Sequence, residues 1–271
     1  FFNPQKSKSS SMKKVLNSID RIALSEEACL FLGESGVGKT EIARYLHEIR
    51  EQSLFKEKRP FVEVNLSSFN KDTLLSELFG HKKGSFTGAM QDKIGLIELS
   101  HSGTLFIDEI GDVSLEVQGM LLKVIEENLF RRVGDTEKKR VSFKLICATN
   151  KNLEALIDEG SFREDFFNRI NYLTVKIPSL SQRKEDIPEI IKTLIPSVAS
   201  NARVSCEYEE LPHEFINLLT NNPPKSNIRG IKAALITLLN FSPIDKNQKL
   251  NFKNWRKITH FVELLSHSES S

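Results

Sequence analysis

The chain has 271 residues, of which 39% are hydrophobic and 27% are charged, a composition typical of a globular protein with one large and one smaller domain. Its 38 basic and 36 acidic residues leave a net charge of +2, so overall charge gives no reason to expect DNA binding. Local basic clusters at Arg131-Arg132 and Lys138-Lys139-Arg140 are interpreted as solvated loop faces.

The sequence shows no targeting signal, no membrane-spanning segment and no paired-cysteine motif. No apolar stretch approaches the roughly 18 residues that span a bilayer, and the N-terminal lysines are not followed by the apolar core of a signal peptide. Cys29, Cys147 and Cys206 are too widely spaced for a Cys-x-x-Cys motif, and the first two lie in apolar runs that favour burial. We expect a cytoplasmic protein without membrane contacts.

Strands and helices alternate along the first two thirds of the chain. A helix is predicted after Ser11 as its cap, with Met12, Val15, Leu16 and Ile19 at helical spacing. Strands are predicted at residues 28–32, 61–64, 104–107, 143–148 and 173–177, and further helices after Thr40, at 71–79 and around 117–125. This alternation favours an α/β fold, a parallel sheet flanked by helices on both faces.

After Pro178 the strand pattern ends, and helices punctuated by prolines follow. We expect an α/β domain over residues 1–180, a small helical lid domain over 181–245 and a tail over 246–271. The tail has room for one helix around Trp255–Leu265, which is less than a helix-turn-helix requires. DNA contact is therefore expected only through segments outside this sequence.

A glycine-rich segment lies between the first predicted strand and the next helix. Gly33-Glu34-Ser35-Gly36-Val37-Gly38-Lys39-Thr40 has the Walker A spacing and is called the Walker A loop below. Its glycines let backbone N–H groups converge on phosphate oxygens, and the helix N-terminus adds a positive dipole. Lys39 would reach the β- and γ-phosphates, and the Thr40 hydroxyl would bind Mg²⁺. ATP and Mg²⁺ are the predicted cofactors.

Two acidic residues end a buried strand further along. Leu105-Phe106-Ile107-Asp108-Glu109 places Asp108 at the carboxyl edge of the sheet, where it would bind Mg²⁺. Glu109 would act on the attacking water as general base. An Asp-Glu pair also occurs in plain turns, but after a Walker A loop it favours hydrolysis. Asn150, which ends another strand, offers an amide to the γ-phosphate or simply terminates its strand.

Three further segments resemble one known family. Glu77-Leu78-Phe79-Gly80-His81 followed by Gly84-Ser85-Phe86-Thr87-Gly88-Ala89 resembles the surface loop of sigma-54-dependent activators, the bacterial enhancer-binding proteins. Residues 103–111 are similar to their Walker B segment, and residues 162–169, Phe-Arg-Glu-Asp-Phe-Phe-Asn-Arg, look like their arginine-finger helix. The chain therefore resembles the central AAA+ domain of these activators.

The resemblance implies a role for each matching position in the nucleotide site. The Walker A loop would bind ATP, with Arg229 of the lid as second sensor. Asp108 and Glu109 would serve hydrolysis, and Asn150 would be the first sensor. Asn65 would hold Glu109 in an inactive pose until the cycle proceeds.

Two arginines matching the finger helix imply that catalysis is shared between subunits. Arg163 and Arg169 would reach the γ-phosphate bound by the neighbouring copy, and an arginine supplied in trans contributes about 10³–10⁵ in rate. Head-to-tail contacts of this kind close into rings, and the resemblance implies a homo-oligomeric hexamer or heptamer. Taken without the motif, both arginines read as ordinary surface ion-pair residues.

The hexapeptide at residues 84–89 implies sigma-54 and RNA polymerase as partners. Phe86 and Thr87 would form the tip of the loop that contacts sigma-54. Gly84 and Gly88 favour a mobile hairpin with an exposed aromatic ring, which indicates a partner. An arrangement in which Phe86 folds back onto its own domain is equally compatible with the sequence. At position 85 the chain has Ser85 where the family usually has Ala.

The lid motif departs further from the family. The pattern Trp-Pro-Gly-Asn-Val-Arg-Glu-Leu appears as Pro224-Lys225-Ser226-Asn227-Ile228-Arg229-Gly230-Ile231. Asn227 and Arg229 are kept, but Gly230 lies inside a predicted helix, where it costs about 1 kcal/mol relative to Ala. Lid packing is therefore the part of the expected fold that the sequence supports least.

Together these patterns predict an ATP-hydrolysing ring motor that remodels the sigma-54 RNA polymerase closed complex to activate transcription. Two alternatives stay open: an AAA+ ATPase with another protein as client, and a slow nucleotide-gated regulatory module. Binding to sigma-54 distinguishes the predicted motor from the first alternative. The dependence of the ATPase rate on protein concentration distinguishes it from the second.

Overall fold

A computed structural model describes residues 4–55, 57–66, 69, 71–244 and 250–258. These residues fall into two compact units. The sheet unit contains residues 17–33 and 42–177. The helical unit contains the described residues up to 16, residues 34–41 and the described residues from 178 onward. By its contacts, most of the Walker A loop therefore belongs to the helical unit.

The described strands and helices follow the predicted alternation. The strands are β1 (Cys29–Leu32), β2 (Phe61–Asn65), β3 (Gly80–His81), β4 (Lys93–Ile94), β5 (Thr104–Asp108), β6 (Leu129–Phe130), β7 (Lys139–Arg140), β8 (Lys144–Thr149) and β9 (Leu173–Lys176). The α-helices are α1 (Ser10–Ile22), α2 (Lys39–Arg50), α3 (Lys71–Phe79), α4 (Leu96–Leu99), α5 (Leu115–Glu127), α6 (Leu153–Asp158), α7 (Glu164–Ile170), α8 (Ile187–Ala202), α9 (His213–Asn221) and α10 (Asn227–Phe241).

A five-stranded sheet in the order β2-β5-β8-β1-β9 forms the core of the sheet unit, and its neighbouring strands pair in parallel. All six residues of β8 are buried, as expected for a strand with helices over both faces. Leu105 and Ile107 of β5 pack in one apolar cluster with Val117 and Leu121 of α5. The predicted parallel α/β sheet is confirmed.

Two buried cations hold the segment that leads from α1 into β1. Lys144 Nζ donates to the carbonyl oxygens of Ser25 at 2.8 Å and Glu27 at 2.5 Å. Arg50 Nη1 donates to the carbonyl oxygens of Ala23 at 2.6 Å and Ser25 at 2.9 Å. Burial lowers the pKa of Lys144 to about 8. These contacts give the backbone carbonyls of residues 23, 25 and 27 hydrogen-bond partners and hold the chain just before β1.

The helical unit has its own apolar core, built from α8, α9 and α10 with Trp255 packed against Phe215. It also holds the N-terminal segment, because the buried carboxylate of Asp186 accepts hydrogen bonds from the Ser7 hydroxyl at 2.6 Å and the Ser9 amide at 2.9 Å. Among the described residues, no helix is both long and apolar enough to cross a membrane.

Several local predictions were wrong or fall outside the described residues. The cap of α1 is Ser9, whose Oγ accepts from the Met12 amide at 3.1 Å, and not Ser11. Arg132 is buried and binds Glu98 through Nε and Nη2, each at 2.9 Å, so it is no solvated loop face. Of the predicted tail helix, only a 3₁₀ turn at Trp255–Lys257 is seen; residues 259–265 lie outside the described part.

The cysteines behave as apolar residues. All three are free and buried, including Cys206, which does not lie in an apolar run of the sequence. Burial raises the pKa of Cys29 to about 12 and that of Cys206 to about 11, so neither thiol ionises readily at neutral pH.

Gly230 has a packing reason in the first turn of α10. A Cβ at this position would lie 2.4 Å from Pro224 Cβ and 2.6 Å from Ser226 Oγ, which is closer than real Cβ atoms approach. The pyrrolidine ring of Pro224 is rigid and has no flexible end that swings aside. The family's Glu at this position is therefore incompatible with Pro224 in this arrangement.

We expect Gly230→Ala to destabilise the protein by about 1 kcal/mol in urea unfolding. The clash costs about 2 kcal/mol, and the better helix propensity of Ala returns about 1 kcal/mol. The exposed Ala233 of the same helix provides the control, since Ala233→Gly measures the propensity difference without a clash. A more stable Gly230→Ala variant would contradict the packing on Pro224.

Candidate functional site

The carboxyl ends of neighbouring strands bring together polar residues that the sequence singled out. β2 and β5 pair so that Asn65 lies beside Asp108, on strands about 4.8 Å apart. β8 is the next strand, and the exposed Asn150 follows its last residue. The Gly33 amide, at the end of β1, donates to the Thr149 carbonyl at 3.2 Å. The Walker A loop therefore starts at the same edge of the sheet.

Glu109 has a strained backbone and a buried side-chain oxygen without a hydrogen-bond partner among the described residues. It adopts the left-handed conformation, with φ 57° and ψ 47°, which costs a non-glycine residue about 1–2 kcal/mol. Its amide donates to Asp108 Oδ1 at 3.0 Å. Its Oε2 is buried and has no hydrogen-bond partner among the described residues. Strain and an unpaired buried carboxylate oxygen commonly mark a functional residue.

The turn after Glu109 packs against the end of β8. A Cβ at Gly111 would lie 3.1 Å from Thr149 Oγ1, and the Lys151 amide donates to the same oxygen at 3.0 Å. Asn150 stands between these two contact residues in the chain. The catalytic glutamate predicted from sequence and the predicted first sensor are therefore held at neighbouring turns.

The Walker A loop has the backbone arrangement of an anion cradle. Gly36 and Gly38 have φ of +76° and +98°, the region that glycine adopts freely. Among the described residues, the backbone N–H groups of residues 34–38 have no hydrogen-bond partner within the protein. Successive N–H groups left open in this way form a nest for phosphate oxygens.

Backbone carbonyl groups of the same loop, in contrast, are hydrogen-bonded to other residues of the helical unit. Three consecutive carbonyl oxygens accept hydrogen bonds from residues that lie far along the chain. The bonds are Asn227 Nδ2 to Ser35 O at 3.1 Å, the Ile228 amide to Gly36 O at 2.9 Å and Arg183 Nη2 to Val37 O at 2.5 Å. With its carbonyls held on one side, the loop presents its amides on the other.

Asn227 is the centre of these contacts. It is 1% exposed and left-handed, with φ 57°, a conformation that Asn tolerates better than most residues. Its Oδ1 accepts from the Leu180 amide at 2.6 Å, and its Nδ2 also lies 3.0 Å from Glu34 Oε2. The predicted second sensor Arg229 donates through Nη1 to Ser35 Oγ at 3.0 Å. The two residues of the lid motif that match the family pattern thus contact the Walker A loop directly.

Lys39 and Thr40, the last two residues of the Walker A loop, occupy the first turn of α2. Lys39 is 6% exposed, and its Nζ donates to the Glu34 carbonyl at 3.3 Å. The positive end of the α2 dipole adds to the lysine charge at this point. Open amides, an ammonium group and a helix N-terminus form a donor set that fits a polyphosphate, and the Thr40 hydroxyl is an oxygen ligand of the kind Mg²⁺ takes.

The two predicted finger arginines lie at opposite ends of α7 and do not meet. Arg163 precedes the helix and Arg169 lies in its last turn, a rise of about 9 Å at 1.5 Å per residue. Arg163 forms an ion pair with Asp165. Arg169 lies 5.6 Å from the centre of the Tyr172 ring and lines a cavity of about 200 Å³. Their contacts are with residues of the sheet unit other than Asp108 and Glu109.

The predicted sigma-54 loop is a tight hairpin. The Gly84 amide donates to the Ala89 carbonyl at 2.9 Å, and Gly84 and Gly88 have φ of +82° and +100°. Phe86 is 46% exposed, with its ring edge-on to His81 at 4.9 Å. The ring therefore combines the two arrangements that the sequence left open, since it touches its own domain and still presents half its surface. Thr87 is exposed.

Ser85 ties this hairpin to a second loop. A Cβ on Gly134, between β6 and β7, would lie 2.4 Å from Ser85 Cβ. Ser85 Oγ is buried and has no partner among the described residues, so this hydroxyl brings a polar cost that the family's Ala would avoid.

Sequence reasoning missed the residues that hold the site. Arg183 and Gln118 are fully buried and polar, and both bind backbone groups of predicted site segments. Gln118 is a polar residue at an apolar position of a helical pattern, and Arg183 lies between two short turns; neither signal reveals a partner more than 40 residues away. Asn227 was recognised as a kept motif residue, but its contacts with residues 34 and 35 had no local signal.

Fold and site together define a P-loop nucleotide-binding protein of the AAA+ class. Residues 6–176 match the family model of the sigma-54 interaction domain. The chain belongs to the sigma-54 interaction domain family.

Relatives support the same placement. The Nif-specific regulatory protein of Azospirillum lipoferum is 40% identical over 212 residues, 78% of this chain and 33% of the relative. The DNA-binding transcriptional regulator NtrC of Klebsiella pneumoniae is 39% identical over 221 residues, 82% of this chain and 46% of the relative. The chain thus spans a third to a half of these two relatives.

Solved structures agree with the fold. The crystal structure of NtrX from Brucella abortus in complex with ADP has 30% sequence identity and a TM-score of 0.78, and the match covers 90% of this chain and 52% of that one. NtrX in complex with ATP matches with 30% identity and a TM-score of 0.76, over 90% of this chain and 54% of that one.

Proposed function

We propose that this chain is an ATP-hydrolysing motor domain that forms a ring and acts on sigma-54-bound RNA polymerase. One observation carries the nucleotide part of the proposal: the amides of residues 34–38 are open, while the carbonyls of residues 35–37 are bound on the other side. A backbone fixed in this way binds phosphate without further rearrangement. The ADP and ATP in the two NtrX structures support the same ligand class.

The site residues divide the hydrolytic task. The open amides and Lys39 would bind the phosphates, and Thr40 and Asp108 would hold Mg²⁺. When bound, Mg²⁺ neutralises charge on the phosphate oxygens. Glu109 would accept the proton of the attacking water, for which its unpaired Oε2 is suited. Asn65, beside Asp108 in the sheet, would restrain Glu109, and Asn150 would contact the γ-phosphate.

Arg163 and Arg169 support the proposal that subunits assemble into a ring. Arg163 is 42% exposed in its side chain and would reach a phosphate bound by another copy, as would Arg169. A ring is the closed form of such head-to-tail contacts. The contacts of Asn227 and Arg229 with the Walker A loop weaken the reason for the slow-module alternative, since the altered lid motif still meets the nucleotide loop.

The partner assignment rests on the family and on the hairpin at residues 84–89. Its exposed Thr87 and half-exposed Phe86 present a contact surface on a loop flanked by glycines. Remodelling of the closed complex would follow if the nucleotide state changes the position of this hairpin. Ring size, promoter recognition by other segments and the cytoplasmic location stay predictions.

ATPase rate per subunit should rise steeply with protein concentration, because each site needs an arginine from its neighbour. Arg163→Ala and Glu109→Gln should each lower the plateau rate by at least about 10²-fold, measured by phosphate release at saturating ATP. Lys232→Ala, an exposed change on α10, serves as the control. A rate per subunit that is constant at all concentrations would contradict catalysis in trans and favour the slow module.

Thr87→Ala should leave ATP turnover within about twofold of the parent and abolish binding to sigma-54 in the presence of a transition-state analogue. The reason is that Thr87 is exposed at the hairpin tip and has no role in the nucleotide site. Co-sedimentation of the two proteins measures the effect, with Thr136→Ala as an exposed threonine control. If the variant binds sigma-54 as the parent does, another surface makes the contact.

A further inference from the structure

The guanidinium group of Arg163 is hydrogen-bonded to the carboxylate of Asp165, two residues further along the chain. Its Nε and Nη2 donate to Asp165 Oδ1 and Oδ2 at 2.9 and 2.6 Å, a bidentate geometry that fixes the plane of the guanidinium group. These hydrogen bonds raise the pKa of Arg163 and lower the pKa of Asp165. Both groups are therefore charged at neutral pH, and the pair persists there.

Two residues of α5 also contact Arg163. Gln118, which is fully buried, accepts a hydrogen bond from the Arg163 amide at 2.7 Å and donates to the carbonyls of Val113 and Ser161 at 2.8 and 3.1 Å. Gly119 lies under the guanidinium, since a Cβ there would be 3.2 Å from Arg163 Nη1. Backbone and side chain of Arg163 are thus held by separate contacts on one surface.

The hydrogen bonds with Asp165 leave one edge of the Arg163 guanidinium group available to a further acceptor. A guanidinium group has five N–H donors, and Asp165 takes one on Nε and one on Nη2. Among the described residues, Arg163 Nη1 has no hydrogen-bond partner. The Nη1–Nη2 edge can therefore bind an anion from outside the chain while Asp165 stays in place.

We propose that Asp165 is a positioning residue that holds the guanidinium of Arg163 with its Nη1–Nη2 edge ready for the γ-phosphate of the neighbouring subunit. This inference rests on the proposed catalysis in trans. A free arginine side chain loses rotamer entropy when it engages a phosphate, and the contact with Asp165 removes part of that loss beforehand.

The size of the effect follows from the exposure of the pair. Exposed ion pairs are weak because water and salt screen them, and the side chains of Arg163 and Asp165 are 42% and 52% exposed. We therefore expect a two- to fivefold effect on turnover, which corresponds to about 0.4–1 kcal/mol in activation free energy. A carboxylate that only masked Arg163 would have the opposite effect, since its removal would free the arginine.

The test mixes two inactive variants so that the finger and the site come from different subunits. Glu109→Gln supplies an intact Arg163 without a working site, and Arg163→Ala supplies a working site without the finger. Turnover in the mixture arises where the first variant donates its arginine to the second. Asp165→Asn is then placed either in the donor or in the acceptor, with Glu164→Gln in the donor as the matched charge control.

We expect Asp165→Asn in the donor to lower kcat of the mixture two- to fivefold with KM for ATP unchanged. The same change in the acceptor, and Glu164→Gln in the donor, should leave kcat unchanged. Unchanged or faster turnover with the altered donor, or an equal loss from either side, overturns the positioning role. No turnover in the unmodified mixture instead contradicts catalysis in trans, and this inference fails with it.

Discussion

Hydrogen bonds on the outer side of the Walker A loop are the constraint on which the nucleotide site depends. A glycine-rich segment has many conformations in isolation, and glycine loses more conformational entropy on folding than any other residue. Here Asn227, Ile228 and Arg183 bind three consecutive carbonyls, which leaves only conformations with the amides on the opposite side. The loop is thus prepared for an anion before one arrives, and its preparation depends on residues of the lid motif.

The residues proposed for hydrolysis depend on a different constraint, the register of parallel strands. Because β2 and β5 pair residue by residue, Asn65 is carried to the side of Asp108, and Glu109 follows at the turn. Glu109 has a strained backbone and an unpaired Oε2 at this turn. One sheet therefore positions the residues proposed as the magnesium ligand, the general base and its restraint.

How much the sequence predicts depends on how local the signal is. Apolar runs and helical spacing are local, and they predicted the parallel sheet and the loop that follows β1. Contacts between residues distant in the sequence have no such signal. The contacts of Arg163 with Gln118 and Gly119 are one example, and the close approach of Pro224 to Gly230 is another. The cap at Ser9 was missed because its competitor Ser11 lies two residues away and has the same side chain.

The most direct test of this account is the affinity for ATP and ADP, measured by calorimetric titration of the parent and of Asn227→Gly. Glycine keeps the φ of 57° without strain but removes the hydrogen bonds of the side chain. Loss of two or more bonds at about 0.5–1.5 kcal/mol each predicts binding of both nucleotides that is weaker by at least about fivefold. Unchanged affinity in a folded variant would show that the loop needs no support from the lid motif, and would contradict the account.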